Sequence, residues 1–157
     1  MAKYIQVMVL ICFSQIACRN MRSNEQSKEI FVQKVGYKSN NYIKFIKDGD
    51  SLKGIFYGVD MMPSSKKPVY YQSELDNIKI ETDKMQFTLN TFIFSNKPLN
   101  YYQDDAKLMN DKPDSIPFEY NYPITYMGER KGDTLKLNRT TALDDSRFTE
   151  SIFIKVK

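Results

Sequence analysis

Residues 122–139 read YPITYMGERKGDTLKLNR and indicate most clearly how this chain folds. Apolar and polar side chains alternate on both sides of Lys131-Gly132, and Leu135 and Leu137 share one face of the second stretch. Period-two alternation is typical of a strand with one buried face, and glycine supplies the positive φ that a tight hairpin requires. The stretch therefore predicts a β-hairpin whose two leucines face a core.

The same pattern extends along the rest of the chain, where short β-branched and aromatic runs dominate and helical periodicity is scarce. Asp48-Gly49 predicts a second tight hairpin. The other candidate strands lie at residues 29–35, 42–47, 51–59, 69–73, 77–82, 84–95 and 147–157.

Two of these runs carry an additional expectation. In residues 84–95 the apolar parity changes after Leu89, which predicts a bulge near Asn90-Thr91 or a strand covered on both faces. In residues 147–157 the lysines at 155 and 157 take one face. The opposite face of that strand collects Phe148, Ile152, Ile154 and Val156.

The number and spacing of these runs indicate an all-β fold, an antiparallel meander of about eight or nine strands. We expect a small closed or partly closed barrel, because closure removes exposed strand edges. The general pattern is similar to lipocalin-like barrels, although no motif of that family is present. A two-sheet β-sandwich is the alternative.

Residues 1–18 (MAKYIQVMVLICFSQIAC) have a different character, with one early lysine and then about ten mostly apolar residues. Such a segment is typical of a signal peptide and is too short to span a membrane. Its end resembles the lipobox of bacterial lipoprotein precursors: Ile16, Ala17 and Cys18 match the last three positions, and Gln15 departs from the usual leucine. The alternatives are a soluble secreted protein cut nearby, or a first buried element of the domain.

The resemblance implies a signal peptide at residues 1–17 and acylation of the Cys18 sulfur. Residues 18–27 would then be a flexible tether, since residues 19–27 hold one apolar side chain. Residues 28–157 would form a single all-β domain. The implied location is the cell envelope, as a membrane-anchored lipoprotein facing the periplasm or the cell surface.

The composition excludes several kinds of chemistry. The chain has no His, and its two Cys both lie in the first eighteen residues. Catalysis by Ser-His-Asp or Cys-His is thereby excluded, as are zinc sites built on His or Cys. The formal charge of +4 is too mixed to indicate nucleic acid. We therefore expect no catalytic residue, no metal, no cofactor and no nucleic-acid partner.

Two polar, proline-rich segments, residues 60–68 and 96–121, interrupt the strands. Long loops of this kind are usually functional. The second contains an acidic cluster between residues 104 and 119, which leaves a carboxylate-dependent hydrolase as an alternative. Calcium binding and a merely solvated loop are the other interpretations of the cluster.

Aromatic side chains lie in or beside these two loops, and tyrosine gives a binding surface rigid contact area with a polar tip. We expect a non-enzymatic binding domain that contacts an envelope protein or a small ligand at the loop end. A purely structural envelope component is a further alternative, and the aromatics could simply cover the barrel ends. The candidate contact residues are Tyr71, Tyr101, Tyr102, Phe118 and Tyr120.

Five lysines are spread over the first three candidate strands and the turn between them. They could form a basic patch toward anionic lipid, or they could serve solubility alone. These residues are Lys34, Lys38, Lys44, Lys47 and Lys53.

Overall fold

The computed structural model describes residues 26–35, 39–61, 67–95, 97–99, 118–141 and 144–157. Within these ranges the chain forms ten β-strands and a short 3-10 helix at Phe118–Asn121. The strands are β1 (Ser27–Val35), β2 (Ser39–Asp48), β3 (Ser51–Met61), β4 (Pro68–Glu74), β5 (Asp76–Glu81), β6 (Lys84–Leu89), β7 (Ile93–Ser95), β8 (Ile124–Lys131), β9 (Thr134–Thr141) and β10 (Asp144–Lys155).

All ten strands belong to one antiparallel sheet in the order β5-β6-β8-β9-β10-β1-β2-β3-β4-β7. Both predicted hairpins are confirmed. Asp48 pairs with Ser51 and Lys131 pairs with Thr134, so each hairpin turns through two residues. The first turn residue is a glycine with positive φ in both cases, 59° at Gly49 and 58° at Gly132.

The connection between β4 and β5 shows why this sheet must curl. Laid flat, strands eight places apart would be roughly 40 Å from one another. A single residue, Leu75, joins these two strands, and two Cα–Cα steps span less than about 8 Å. The sheet therefore curls into a half-barrel that brings its two edges together, and the amide of Leu75 donates to the Gly54 carbonyl at 2.9 Å. The predicted all-β, barrel-like class is confirmed, with ten strands.

The inner face of the half-barrel is packed with aromatic and aliphatic side chains. Phe56 is central: its ring lies 5.2 Å from Tyr126, 5.9 Å from Tyr71 and 6.1 Å from Phe153, centroid to centroid. Gly58 leaves room for the Tyr71 ring, because a β-carbon at that position would overlap it. Rings from strands far apart in the sheet order thus meet across the interior. The fully buried members of this core include Phe31, Ile43, Phe56, Phe87, Leu89, Ile124, Leu135, Leu137 and Phe153.

The predicted long run at residues 84–95 is two strands, and neither a bulge within one strand nor a doubly covered strand is found. β6 ends at Leu89, which pairs with Ile124 of β8. β7 begins at Ile93 and pairs with β4 at the opposite edge of the sheet. The parity changes because residues 90–92 carry the chain from one sheet edge to the other.

The last strand alternates as predicted, but its aliphatic face points away from the core. Phe153 pairs with Leu135 and both side chains are fully buried, while Ile152 and Ile154 are exposed. The aromatic ring of Phe153 fills the space beside Phe56, so packing selects that face over the face with more aliphatic residues. The Phe148 side chain lies outside the described residues.

The two predicted loop segments are partly described. β3 continues to Met61 and β4 begins at Pro68, so strand structure enters both ends of the first segment. In the second, the described parts are residues 97–99 and the 3-10 helix; residues 100–117 lie outside them. No helix among the described residues has the length and apolar character needed to cross a membrane.

Candidate functional site

The structure places two of the predicted contact residues inside the molecule. Tyr71 on β4 is 4% exposed and Tyr120 in the 3-10 helix is 6% exposed. Because a buried ring offers no contact area to a partner, these two tyrosines belong to the core. Phe118 has its backbone in the 3-10 helix, and its side chain lies outside the described part. Cys18, Tyr101 and Tyr102 also lie outside it.

Tyr71 and Tyr120 form a cluster with the rings of Phe92 and Phe94, which we call the aromatic cluster. The two tyrosine rings lie 4.8 Å apart, centroid to centroid. Phe92 and Phe94 approach Tyr120 edge-on at 5.0 and 5.3 Å. Edge-to-face contact at this distance is favourable because the positive ring edge meets the negative ring face.

A half-buried hydrogen bond ties the aromatic cluster to β3. The Tyr120 hydroxyl donates to Oδ2 of Asp60 at 2.9 Å. Burial raises the pKa of the Tyr120 phenol far above its ordinary value, and the neighbouring Tyr71 and Asp60 add to the rise. A phenol that stays protonated can donate a hydrogen bond but cannot act as a base or nucleophile at neutral pH. The contact is therefore suited to holding the 3-10 helix on β3.

A second polar group, half-buried and called here the ionic cluster, joins Glu29, Arg130 and Lys155 over the Phe31 ring. Arg130 donates to both carboxylate oxygens of Glu29 at 2.9 Å, and Lys155 donates to Oε1 at 2.8 Å. The Arg130 guanidinium also lies 5.3 Å from the centroid of the Phe31 ring. Hydrogen bonding by Arg130 is the main reason that the pKa of Glu29 falls to about 2, against the opposing effect of burial.

The acidic candidates are not gathered into a metal site in the described part of the chain. No group of three or more metal-ligating side chains occurs there. The predicted acidic cluster falls mostly within residues 100–117, outside the described residues. The hydrolase alternative therefore stays a prediction without geometry.

The outer face of the sheet carries a trough of about 580 Å³ that crosses β5, β6, β8, β9 and β10. Two neighbouring cross-strand rows build it, and both follow directly from the strand register. One row runs Lys79, Gln86, Met127, Asn138, Glu150; the other runs Glu81, Lys84, Glu129, Lys136 and continues to Ile152. Met85 and Gly128 complete the lining.

The trough combines an apolar centre with balanced charge. Met127 is 43% exposed in the middle of the first row. In the second row the charges alternate strand by strand, and Lys136 and Lys84 flank Glu129. Glu129 pairs with Lys131 at 2.7 Å. The other charged residues of the trough form no ion pair with any residue that the structure describes; they are Lys79, Glu81, Lys84, Lys136 and Glu150.

Reasoning from sequence missed this trough because its residues come from five strands. Only the alternation within each strand was visible, such as Lys136 between two leucines. The register that aligns Lys84, Glu129 and Lys136 depends on pairings such as β6 with β8, which are 35 or more positions apart in sequence.

Comparison with other proteins gives no related protein from which a function for the trough could be transferred. No protein-family model matches the chain, and neither the curated proteins nor the solved structures include a detectable match. A function must therefore be inferred from the chemistry of the chain's own residues.

Proposed function

We propose that this protein is a membrane-anchored lipoprotein of the cell envelope whose β-domain binds a protein partner and performs no catalysis. The trough is the observation that supports binding. An exposed methionine surrounded by charged side chains, most of which form no ion pair with a described residue, is a surface that gains contacts when another protein covers it.

The filled interior favours a protein partner over a small ligand. Ligand-binding barrels keep room inside for the ligand, whereas small filled barrels use their interior for packing. Here Phe56 contacts rings from both sides of the half-barrel. Contact with a partner is then expected on the outer surface.

The charge pattern of the trough indicates what its partner carries. Lys79, Lys84 and Lys136 face Glu81, Glu129 and Glu150, so the lining has no net charge. A polyanion such as nucleic acid would meet as much repulsion as attraction. A protein segment with side chains of both signs and one apolar residue over Met127 would satisfy the whole lining.

Acylation is tested with the two cysteines of the chain. Metabolic labelling with a fatty acid, followed by intact mass measurement, should detect the modification in the wild-type protein and in Cys12→Ser. Cys18→Ser should lose it. An unlabelled wild-type protein, or label retained in Cys18→Ser, would contradict the proposed anchor.

Partner binding is tested by cross-linking the tagged full-length protein in its own cells and identifying what co-purifies. Met127→Asp places a charge on the apolar centre of the trough and should reduce capture of the specific partner about tenfold, the loss of one central apolar contact. Met61→Asp is the matched control, because Met61 is 56% exposed and lies outside the trough. Equal capture by both variants would exclude the trough as the binding site.

A further inference from the structure

The half of the outer face formed by β10, β1, β2 and β3 differs from the trough. Ile152 and Ile154 stand exposed on β10, and Val156 is exposed just after its end. Val32 of β1 pairs with Ile154, and the amide of Val156 donates to the carbonyl of Ile30 at 2.8 Å. The register thus continues the aliphatic stripe from β10 onto β1.

Lysines surround this stripe on β1, β2 and β3. Lys28 and Lys53 lie on either side of Ile46 in one cross-strand row. Lys44 stands between Ile30 and Ile55 in the next row. Lys34 follows Val32 on the same face of β1. We call the stripe and these four lysines the lysine-aliphatic face.

The charge of the lysine-aliphatic face is not balanced within the described residues. Lys28, Lys34, Lys44 and Lys53 form no ion pair there, whereas Lys155 on the inner face is held by Glu29. Among the described side chains of these strands, the acidic residues of this face lie at its borders: Asp48 at the end of β2, Glu74 at the end of β4 and Glu150 before Ile152. A covering surface must therefore be apolar at its centre and anionic around it.

We propose that the lysine-aliphatic face lies on an anionic phospholipid membrane. A bilayer of anionic lipids supplies both features, since acyl chains accept the isoleucines and phosphates accept the lysines. This inference goes beyond the proposed binding of a protein and uses a different surface. The proposed anchor is compatible with it: nine Cα–Cα steps lead from Cys18 to the start of β1 at Ser27, a reach of at most about 30 Å.

The two halves of the outer face then have separate partners. With this face on the lipid, the centre of the charge-balanced trough, at Met127 of β8, lies farther around the curled sheet and stays open to protein. The electrostatic contribution of the lysines to membrane binding should weaken as the salt concentration is raised, because exposed charges are screened. The contribution of the aliphatic side chains should not weaken with salt.

The experiment uses the full-length protein reconstituted into vesicles of phosphatidylcholine, with or without phosphatidylglycerol. One environment-sensitive fluorescent amino acid, incorporated during translation so that Cys12 and Cys18 stay unchanged, replaces Ile154 or, as the matched site, Met127; these side chains are 48% and 43% exposed. Nitroxide-bearing lipids then report contact with the bilayer. We expect quenching at position 154 at least about threefold above that at position 127, and only when anionic lipid is present.

Paired charge variants isolate the lysines. Lys28→Gln with Lys53→Gln should reduce quenching at position 154 about tenfold or more at low salt, since each lysine near an anionic surface strengthens binding about fivefold. Lys79→Gln with Lys84→Gln removes the same charge from the trough and should leave the quenching at position 154 unchanged. Equal quenching at both labelled sites, quenching at neither, or equal loss in both double variants would overturn the proposal.

The outcome is separable from that of the proposed anchor. Mass measurement on the same reconstituted sample shows whether Cys18 carries a fatty acid. An unacylated protein that still shows the selective quenching would contradict the anchor and support the lysine-aliphatic face. An acylated protein without selective quenching would support the anchor and contradict the membrane contact of the lysine-aliphatic face.

Discussion

The ionic cluster and the aromatic cluster both hold half-buried polar contacts beside the core, but they do so by opposite means. In the ionic cluster a charged carboxylate is held by two cations, and the pKa of Glu29 is lowered. In the aromatic cluster a neutral phenol is surrounded by rings, and the pKa of Tyr120 is raised. One cluster therefore depends on a group staying ionised and the other on a group staying neutral. Acid should weaken the ionic cluster by protonating Glu29, and alkali should weaken the contribution of the aromatic cluster.

Removing a ring from the aromatic cluster should have the largest effect. Tyr71→Ala deletes a buried ring that contacts Phe56, Phe92 and Tyr120, and should lower the free energy of unfolding by about 3–5 kcal/mol. Urea unfolding monitored by circular dichroism measures it. Met61→Ala, at an exposed site, should change stability by less than about 0.5 kcal/mol. A decrease in the free energy of unfolding below about 1 kcal/mol in Tyr71→Ala would mean that the aromatic cluster contributes little to the stability of the core.

Neutralising the ionic cluster should have an intermediate effect. Glu29→Gln keeps the shape but removes the charge that Arg130 and Lys155 contact, and should cost about 1–3 kcal/mol near pH 7. The control is Glu129→Gln, which breaks an exposed pair with Lys131 and should leave the stability almost unchanged, because water screens exposed charges. Similar losses in the two variants would show that burial adds nothing to the ionic cluster.

The pH dependence of stability gives a second test of the ionic cluster. Because the pKa of Glu29 is about 2 when folded and 4.5 ordinarily, its contribution is fully present above pH 4.5. That contribution should be lost as the pH falls from 4.5 toward 2. The difference in stability between wild type and Glu29→Gln should therefore narrow over that range. A difference that stays constant down to pH 2 would exclude the charged pairing as its cause.

The hydroxyl of Tyr120 should have the smallest effect. Tyr120→Phe removes the hydrogen bond to Asp60 and should cost about 1 kcal/mol at neutral pH. The raised pKa means that the contribution is present below the ordinary pKa of 10.0 and is lost as the pH rises above it, where the unfolded phenol ionises. Wild type should then lose more stability than Tyr120→Phe between neutral pH and pH 11. Parallel decline of the two proteins would contradict a buried neutral phenol.

Local sequence signals predicted most strands and both tight turns of this fold. Gly49 and Gly132 have the positive φ that their turns require, and Leu135 and Leu137 face the core. These features depend only on residues close together in sequence. The fold class followed from them because repeated hairpins without helices leave few arrangements.

What could not be predicted depends on contacts between distant strands. In β10 Ile152 and Ile154 alternate with Ser151 and Phe153, and Val156 follows just after the strand. Counting apolar residues there favours the wrong face as the buried one. The burial of Tyr71 and Tyr120 depends on Phe92 and Phe94 reaching them after the chain crosses between sheet edges. Neither the trough nor the lysine-aliphatic face can be recognised from the sequence before the strand register is known.

The seam between β10 and β1 has a consequence for how the molecule is made. β1 and β10 are the first and last strands of the sheet in sequence, yet they are neighbours at its centre, where Phe31 pairs with Lys155 and Val32 with Ile154. A ribosome finishes β1 more than a hundred residues before β10 exists. Throughout translation β1 therefore lacks one hydrogen-bonding neighbour, and the two five-stranded halves can pair through β1 and β10 only after the last strand has been released.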